Sequence, residues 1–144
     1  MKNVFTLWVQ GGDLDIYTQM SVKSWIKYNL KVTVWTYEPI SIKMIKWYPE
    51  VDFKNANEIV GQLEDKTYPE IADHFRFYYL YHFGGTWIDS DLVLINSLPE
   101  DEIIISSEHS KQKGAFSTKD RDYTPNIGVL RFPPQHPIIK ETMK

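Results

Sequence analysis

Cysteine is absent from the 144 residues, which removes disulfide scaffolds, thiolate zinc sites and cysteine nucleophiles. Any metal here must bind oxygen or imidazole. No apolar run approaches the ~20 residues that cross a bilayer. The run at the amino terminus, Val4 to Val9, is cut off by Gln10-Gly11-Gly12-Asp13 too early for a signal peptide. The chain is therefore expected to lack a transmembrane segment and to stay in the cytosol. A charge excess is missing as well: 16 basic against 19 acidic residues leave a net charge of -3, so the electrostatic footprint of a nucleic-acid binder is not there. Repeats, low-complexity tracts and linkers are also lacking. At ~100–200 residues per domain the length predicts one domain, residues 1–144, large enough for its own core. A hydrophobic share of 42% with 24% charged residues excludes collagen-like and disordered classes.

Aromatic residues are abundant, at 15% with five Trp and nine Tyr. That suits stacking on bases or sugars, and equally an ordinary core. Residues 4–9 read as a buried strand ended by a Gly-Gly turn. Asp13 or Asp15 can cap a helix whose apolar positions Ile16, Met20, Trp25 and Ile26 recur at helical spacing to about Tyr28. The alternating, β-branched stretch Lys31–Thr36 completes a strand–helix–strand unit, which implies a parallel sheet. A short helix is expected from Ser41 to Tyr48, stopped before Pro49, and another from Asn57 to about Asp65. Thr67-Tyr68-Pro69-Glu70 has the spacing of a capping box with proline in the first turn, and the helix it opens should run to His82 or Phe83 before Gly84-Gly85. Thr86–Ile88, Leu92–Ile95, Ile103–Ile105 and Ile127–Leu130 read as extended segments. Lys111–Asp122 is polar and reads as a mobile loop.

Two carboxylates stand in Asp89-Ser90-Asp91, between apolar segments. A carboxylate buried without a partner is costly, so these need cations, donors or water. Two readings follow: a turn in which aspartate accepts backbone N–H bonds, or a site for Mg²⁺, which takes one or two carboxylates and completes its shell with water and phosphate oxygens. On the preceding helix Ile71, Phe75, Tyr78 and His82 fall on one stripe, and Asp73, Arg76 and Leu80 on the other side. Asp73 and Arg76 are thus neighbours, either as a surface pair contributing ~0.2–0.5 kcal/mol or, with Phe77 and Leu80 beside them, as polar groups facing a pocket. His109 and His136 have no partner spaced for a metal site and read as loop or surface residues.

The run from Ala72 to Asp91 contains Asp73-x-x-Arg76, then Leu80, Gly84-Gly85 and Asp89-x-Asp91. It resembles the signature of glycosyltransferases with a DXD sugar-binding region, a family that includes yeast mannosyltransferases, capsular polysaccharide transferases and the glucosylating domains of clostridial toxins. The resemblance implies an α/β, GT-A-like (Rossmann-like) domain with a mostly parallel central sheet flanked by helices. It also implies a donor that is a UDP- or GDP-linked sugar and a cofactor that is Mn²⁺ or Mg²⁺. Leu7-Trp8-Val9-Gln10-Gly11-Gly12 is similar to the family's first strand, where the tryptophan stacks on the base and the next loop borders the nucleotide. Trp8, Val9 and Gln10 are then donor contacts, although Trp8 also reads as core. On the same grounds Asp73 and Arg76 hold sugar hydroxyls or phosphate, Asp89 and Ser90 contact sugar or ribose, and Asp91 with Asp89 ligates the metal. Asp89, Asp91 and Arg76 carry the catalytic roles, and Asn126 touches the acceptor or the transferred ring. The acceptor, whether glycan, lipid-linked or protein, is unspecified.

Members of this family usually continue beyond the equivalent of this chain's end, so the carboxyl-terminal part of the domain is expected to be short or absent. The family resemblance favours retention of configuration; an inverting enzyme needs a carboxylate base, for which only Glu108, Asp120 and Asp122 remain as nominees. A non-catalytic nucleotide-sugar or glycan-binding module, or a metal-dependent nucleotidyltransferase, are the competing readings.

Overall fold

The computed structural model of the chain describes residues 2–109 and 123–144. The expected loop Lys111–Asp122, with Asp120 and Asp122, lies outside the described residues. Six strands, β1 (Lys2–Leu7), β2 (Leu30–Thr36), β3 (Asp52–Asn55), β4 (Gly85–Ile88), β5 (Ile104–His109) and β6 (Tyr123–Phe132), form one sheet in the order β3-β2-β1-β4-β6-β5. The first four are parallel; β6 runs antiparallel to both β4 and β5. Helices α1 (Ile16–Lys27), α2 (Ile42–Trp47), α3 (Tyr68–Phe83) and α4 (Pro137–Thr142) flank it. The result is the expected mixed α/β architecture with a mostly parallel sheet. Among the described residues no helix is long and apolar enough to cross a membrane.

The sheet is covered on both faces, as parallel strands require. On one face Val22 and Trp25 of α1 and Met44 of α2 pack with Val4, Val32, Val34 and Ile88. On the other, Ile71, Phe75 and Leu80 of α3 and Ile139 of α4 pack with Phe5, Leu7, Trp35, Trp87 and Phe132. Phe75 sits among aromatic rings, 5.8 Å from Trp35 and 6.3 Å edge-on to Tyr37. A buried ring of this size contributes ~1.5–3 kcal/mol, and it fixes the rotation of α3 and hence the direction of the next residue, Arg76. The ends of α3 are as the sequence predicts. Glu70 N–H donates to Thr67 Oγ1 at 3.3 Å, Thr67 N–H donates back to Glu70 Oε1 at 3.3 Å, and Gly84 closes the helix at φ 68°. A Cβ there would lie 2.8 Å from Pro134, so the position requires glycine.

One alternative is settled and several expectations are corrected. Asp15 caps α1, its carboxylate accepting from Thr18 N–H at 2.8 Å, whereas Asp13 accepts from Ser41 Oγ and pairs with Lys43. The buried side of α1 is Thr18, Ser21, Val22 and Trp25, so Ile16 and Met20 point outward. The helix expected from Asn57 to Asp65 is a single 3-10 turn, Ala56–Glu58, capped by Asn55. Leu92–Ile95 forms no strand: its backbone is taken by α1, with Trp25 Nε1 donating to Leu92 O, Leu94 N–H to Ser24 Oγ and the Tyr28 hydroxyl to Ile95 O. On α3, Arg76 and Leu80 are buried together with Ile71 and Phe75, while His82 is exposed. The helix is wedged into the molecule on a wider arc than one stripe. His109 belongs to β5, and His136 caps α4, its Nδ1 accepting from Ile138 N–H.

Candidate functional site

In an open parallel sheet the crevice at the carboxyl ends of the strands, where the strand order reverses, is the natural ligand position. Here that point lies between β1 and β4: the chain leaves β1 toward one edge of the sheet and continues from β4 toward the other. A cleft of about 380 Å³ opens there. It is lined by the end of β1 and its loop (Leu7, Trp8, Val9, Gln10), the start of α1 (Asp15, Thr18), one side of α3 (Asp73, Arg76) and the end of β4 with the following turn (Trp87, Asp89, Ser90, Asp91). Of the residues singled out in the sequence, Trp8, Val9, Gln10, Asp73, Arg76, Asp89, Ser90 and Asp91 are therefore brought together.

Arg76 is the hub. It is 5% exposed, and its guanidinium lies 4.7 Å over the Trp87 ring. Nη2 donates to Asp73 Oδ1 at 2.5 Å, and Nη1 donates to Ile127 O at 2.8 Å and approaches Asp89 Oδ1 at 3.5 Å. Its Nε is buried without a hydrogen-bond partner among the described residues. Burial lowers the pKa of Arg76 from its ordinary value, while Asp89 and Asp73 oppose that shift. The Asp73–Arg76 pair faces the cleft.

Asp89 ends β4. Its N–H donates to Gly128 O at 2.8 Å, and its Oδ1 accepts from Trp87 Nε1 at 2.7 Å. Burial pushes its carboxyl above the ordinary value; Asp91 and Asp73 add to the rise, and the Trp87 hydrogen bond and Arg76 pull against it. A Cβ at position 128 would lie 3.2 Å from Asn126 Oδ1 and 3.3 Å from Leu92 Cδ1, so Gly128 leaves room for those two side chains beside Asp89. Asp91, two residues on, is exposed at the rim. Trp8 is partly buried against the core on the α1 side, and its indole N–H donates to Gly11 O at 2.9 Å, which holds the ring at the cleft wall.

Asn126 stands apart from the cleft lining. Its Oδ1 accepts from Ser106 Oγ and from Gly128 N–H at 3.0 Å, which braces the β5–β6 irregularity beside Asp89. Sequence reasoning passed over Trp87 as a site residue, and treated Asp15 only as a helix cap. The signal for both was positional, since each sits at the carboxyl end of a parallel strand or in the loop that follows it.

Four carboxylates, Asp15, Asp73, Asp89 and Asp91, face one guanidinium across this cleft. Among the described residues no group of three or more His, Asp or Glu is placed to enclose a metal. The donor set fits a hard divalent ion that takes one or two carboxylates and leaves its other positions to water and phosphate oxygens, and does not fit a closed all-protein cage.

A sequence profile described as "Glycosyltransferase sugar-binding region containing DXD motif" matches residues 15–110. No curated protein sequence matches the chain. Among solved structures the fold is similar to "PaToxG Glycosyltransferase", with a TM-score of 0.69 and 14% identity over 99% of this chain and 58% of that one. It is also similar to a mutant form of a transferase, with a TM-score of 0.56 and 10% identity over 94% of this chain and 72% of the other. The chain thus spans less than two thirds of the PaToxG structure.

Proposed function

The chain belongs to the family of glycosyltransferases with a DXD-containing sugar-binding region, and from that premise we propose that it transfers a sugar from a nucleoside diphosphate donor to an acceptor, with retention of configuration and with Mn²⁺ or Mg²⁺. The observation that carries this reading is the convergence of Trp8, Asp73, Arg76, Asp89 and Asp91 on one cleft at the strand-order reversal. In it Trp8 stacks on the base, and the Val9–Gln10 loop borders the nucleotide. Asp73 and Asp89 present carboxylate oxygens to sugar hydroxyls, each held in place by Arg76, which acts here as a positioning residue. Asp91 at the rim, with Asp89 beneath it, holds the divalent cation.

The charge of the lining supports the cation. A diphosphate entering a cleft with three more carboxylates than guanidinium groups is repelled, and the repulsion grows as water is displaced. When bound, the cation neutralises the departing diphosphate as a Lewis acid.

The test is a panel of nucleotide sugars supplied with Mn²⁺, scored for binding and for products. Release of free nucleoside diphosphate supports glycosyl transfer. Pyrophosphate release would mark a nucleotidyltransferase instead, and binding without either product a non-catalytic module.

A further inference from the structure

The pairing of β5 with β6 is interrupted beside the cleft. Ile105 lies opposite Leu130 and Ser107 opposite Pro125, so the single residue Ser106 faces the four residues Asn126, Ile127, Gly128 and Val129. A segment bulged out of a ladder loses its regular partners, and its N–H and C=O groups must find others. Here side chains take the N–H groups: Gly128 N–H donates to Asn126 Oδ1 at 3.0 Å, and Val129 N–H donates to Ser106 Oγ at 2.9 Å. A hydroxyl can accept and donate at once, and that of Ser106 also donates to Asn126 Oδ1, so the two side chains brace one another across the strands. The carbonyls of the bulge serve the cleft. Ile127 O accepts from Arg76 Nη1 at 2.8 Å, and Gly128 O accepts from Asp89 N–H at 2.8 Å.

We propose that Ser106, acting through Asn126 and this bulge, is a positioning residue for sugar transfer, a role that rests on the function proposed above. Neither side chain lines the cleft, so each acts on it through the backbone it holds. Ile127 O is the neutral acceptor of the Arg76 guanidinium, whose other hydrogen-bond partners are the carboxylates of Asp73 and Asp89. At 5% exposure Arg76 does not replace a lost carbonyl with bulk water. When the bulge relaxes, the guanidinium settles toward the two carboxylates, and the oxygens it holds toward the sugar move with it. Misplacement by ~1 Å of a group that meets the reacting centre costs on the order of 10²-fold in rate. The nucleotide end of the donor belongs to Trp8 and the Val9–Gln10 loop, which follow β1 rather than β6. Loss of the brace therefore acts on turnover and spares nucleotide binding.

The test pairs Ser106→Ala with Ser106→Thr, which keeps the hydroxyl, and reads two quantities on the whole chain. The first is rotation of the Arg76 guanidinium, followed by nitrogen NMR exchange spectra in which its signals are assigned by their absence from Arg76→Lys. Loss of one hydrogen bond to a charged group should speed that rotation about 10-fold in Ser106→Ala, with the wild-type rate kept in Ser106→Thr. The second is turnover of the nucleotide sugar that the donor panel identifies. There kcat should fall about 10- to 100-fold in Ser106→Ala, affinity for the free nucleoside diphosphate should stay as in the wild type, and Ser106→Thr should recover most of the loss. A merely structural serine would lower Tm without that split. Wild-type rotation in a folded Ser106→Ala overturns the proposal, as does an alanine-like Ser106→Thr or a loss of nucleoside diphosphate affinity as large as the loss in kcat. Asn126→Ala removes the other half of the brace and is read in the same way if Ser106→Ala leaves the chain unfolded. A wild-type chain that turns over no nucleotide sugar removes the transferase reading, and the rotation rates then decide by themselves whether Ser106 holds Arg76.

Discussion

Removing Asp73 should destabilise the protein more than its half-exposed position suggests, because the charge it satisfies is not its own. The Arg76 side chain is 6% exposed and that of Asp73 is 50% exposed. In Asp73→Ala the buried guanidinium keeps Ile127 O at 2.8 Å but is left with only the 3.5 Å approach to Asp89 as a charge contact. A hydrogen bond to a charged group contributes ~1.5–3 kcal/mol, and solvent access to Asp73 argues for the lower end, ~1.5–2 kcal/mol. At roughly 3–5 °C per kcal/mol for a chain of this size, Tm should fall by ~5–10 °C. Arg76→Met in the same chain should return part of that loss. Methionine replaces the stranded cation with an apolar chain over the Trp87 ring, and removing both members of a buried pair often costs less than removing one. The double-mutant cycle, read by thermal unfolding with near-ultraviolet circular dichroism, should give a coupling of ~1.5–2 kcal/mol. A Tm for Asp73→Ala within ~2 °C of wild type, the size of a surface i,i+3 pair, would refute the reasoning, as would strictly additive effects.

Asp91→Asn should abolish the dependence of donor binding on Mn²⁺ or Mg²⁺; wild-type binding that is unchanged in excess chelator removes Asp91 from the metal role. Trp8→Ala should weaken nucleotide binding by about one to two decades, since base–aromatic stacking contributes ~1–3 kcal/mol, while Trp8→Phe should retain much of it; equal binding by all three proteins in a fluorescence titration returns Trp8 to the core. The raised pKa of Asp89 has a defined sign: its ionised form is disfavoured in the fold, so its effect on stability is unfavourable above the folded-state pKa and is relieved as pH falls through that value toward 3.8. Metal-supported donor binding needs the ionised form and should decline through the same window. Comparing wild type with Asp89→Asn by calorimetry across pH checks this, because the variant should lose the stability component in that window.

The elements legible in the sequence were those whose signals were local. The capping box at Thr67, the Gly-Gly stop and the β1-α1-β2 unit appear where periodicity and cap chemistry put them. The misreadings came from residues whose environment is set by distant segments. Leu92–Ile95 has the composition of a strand, but side chains of α1 take its backbone hydrogen bonds and leave none for a ladder. Asp52–Asn55 is too polar to announce a strand, and pairs at the sheet edge because β2 offers it a parallel partner. The outward apolar face of α1 is hidden in the periodicity because two of the inward positions, Thr18 and Ser21, are polar, and a hydrophobicity count ranks them below Ile16 and Met20. In the cleft, the motif picked out Asp73, Arg76, Asp89 and Asp91, which line it together. The depth of Arg76 was not readable from α3 alone, because Ile127 O and the Trp87 ring come from other strands.

The antiparallel insertion of β6 between β4 and β5 has a kinetic consequence. Asp89 and Arg76 precede β6 in the chain, yet their bonds to Gly128 and Ile127 require it. During synthesis at ~5–20 residues per second, the parallel strands β1 to β4 can pair several seconds before Tyr123–Phe132 emerges. Over that interval β4 is an open edge, its N–H and C=O groups unpaired on one side and available to any strand that meets them first. The site is therefore completed last, and the step that completes it also closes the most aggregation-prone edge of the nascent sheet. A destabilised β6 would be felt first as lost yield during expression, before any loss of turnover in the molecules that do fold.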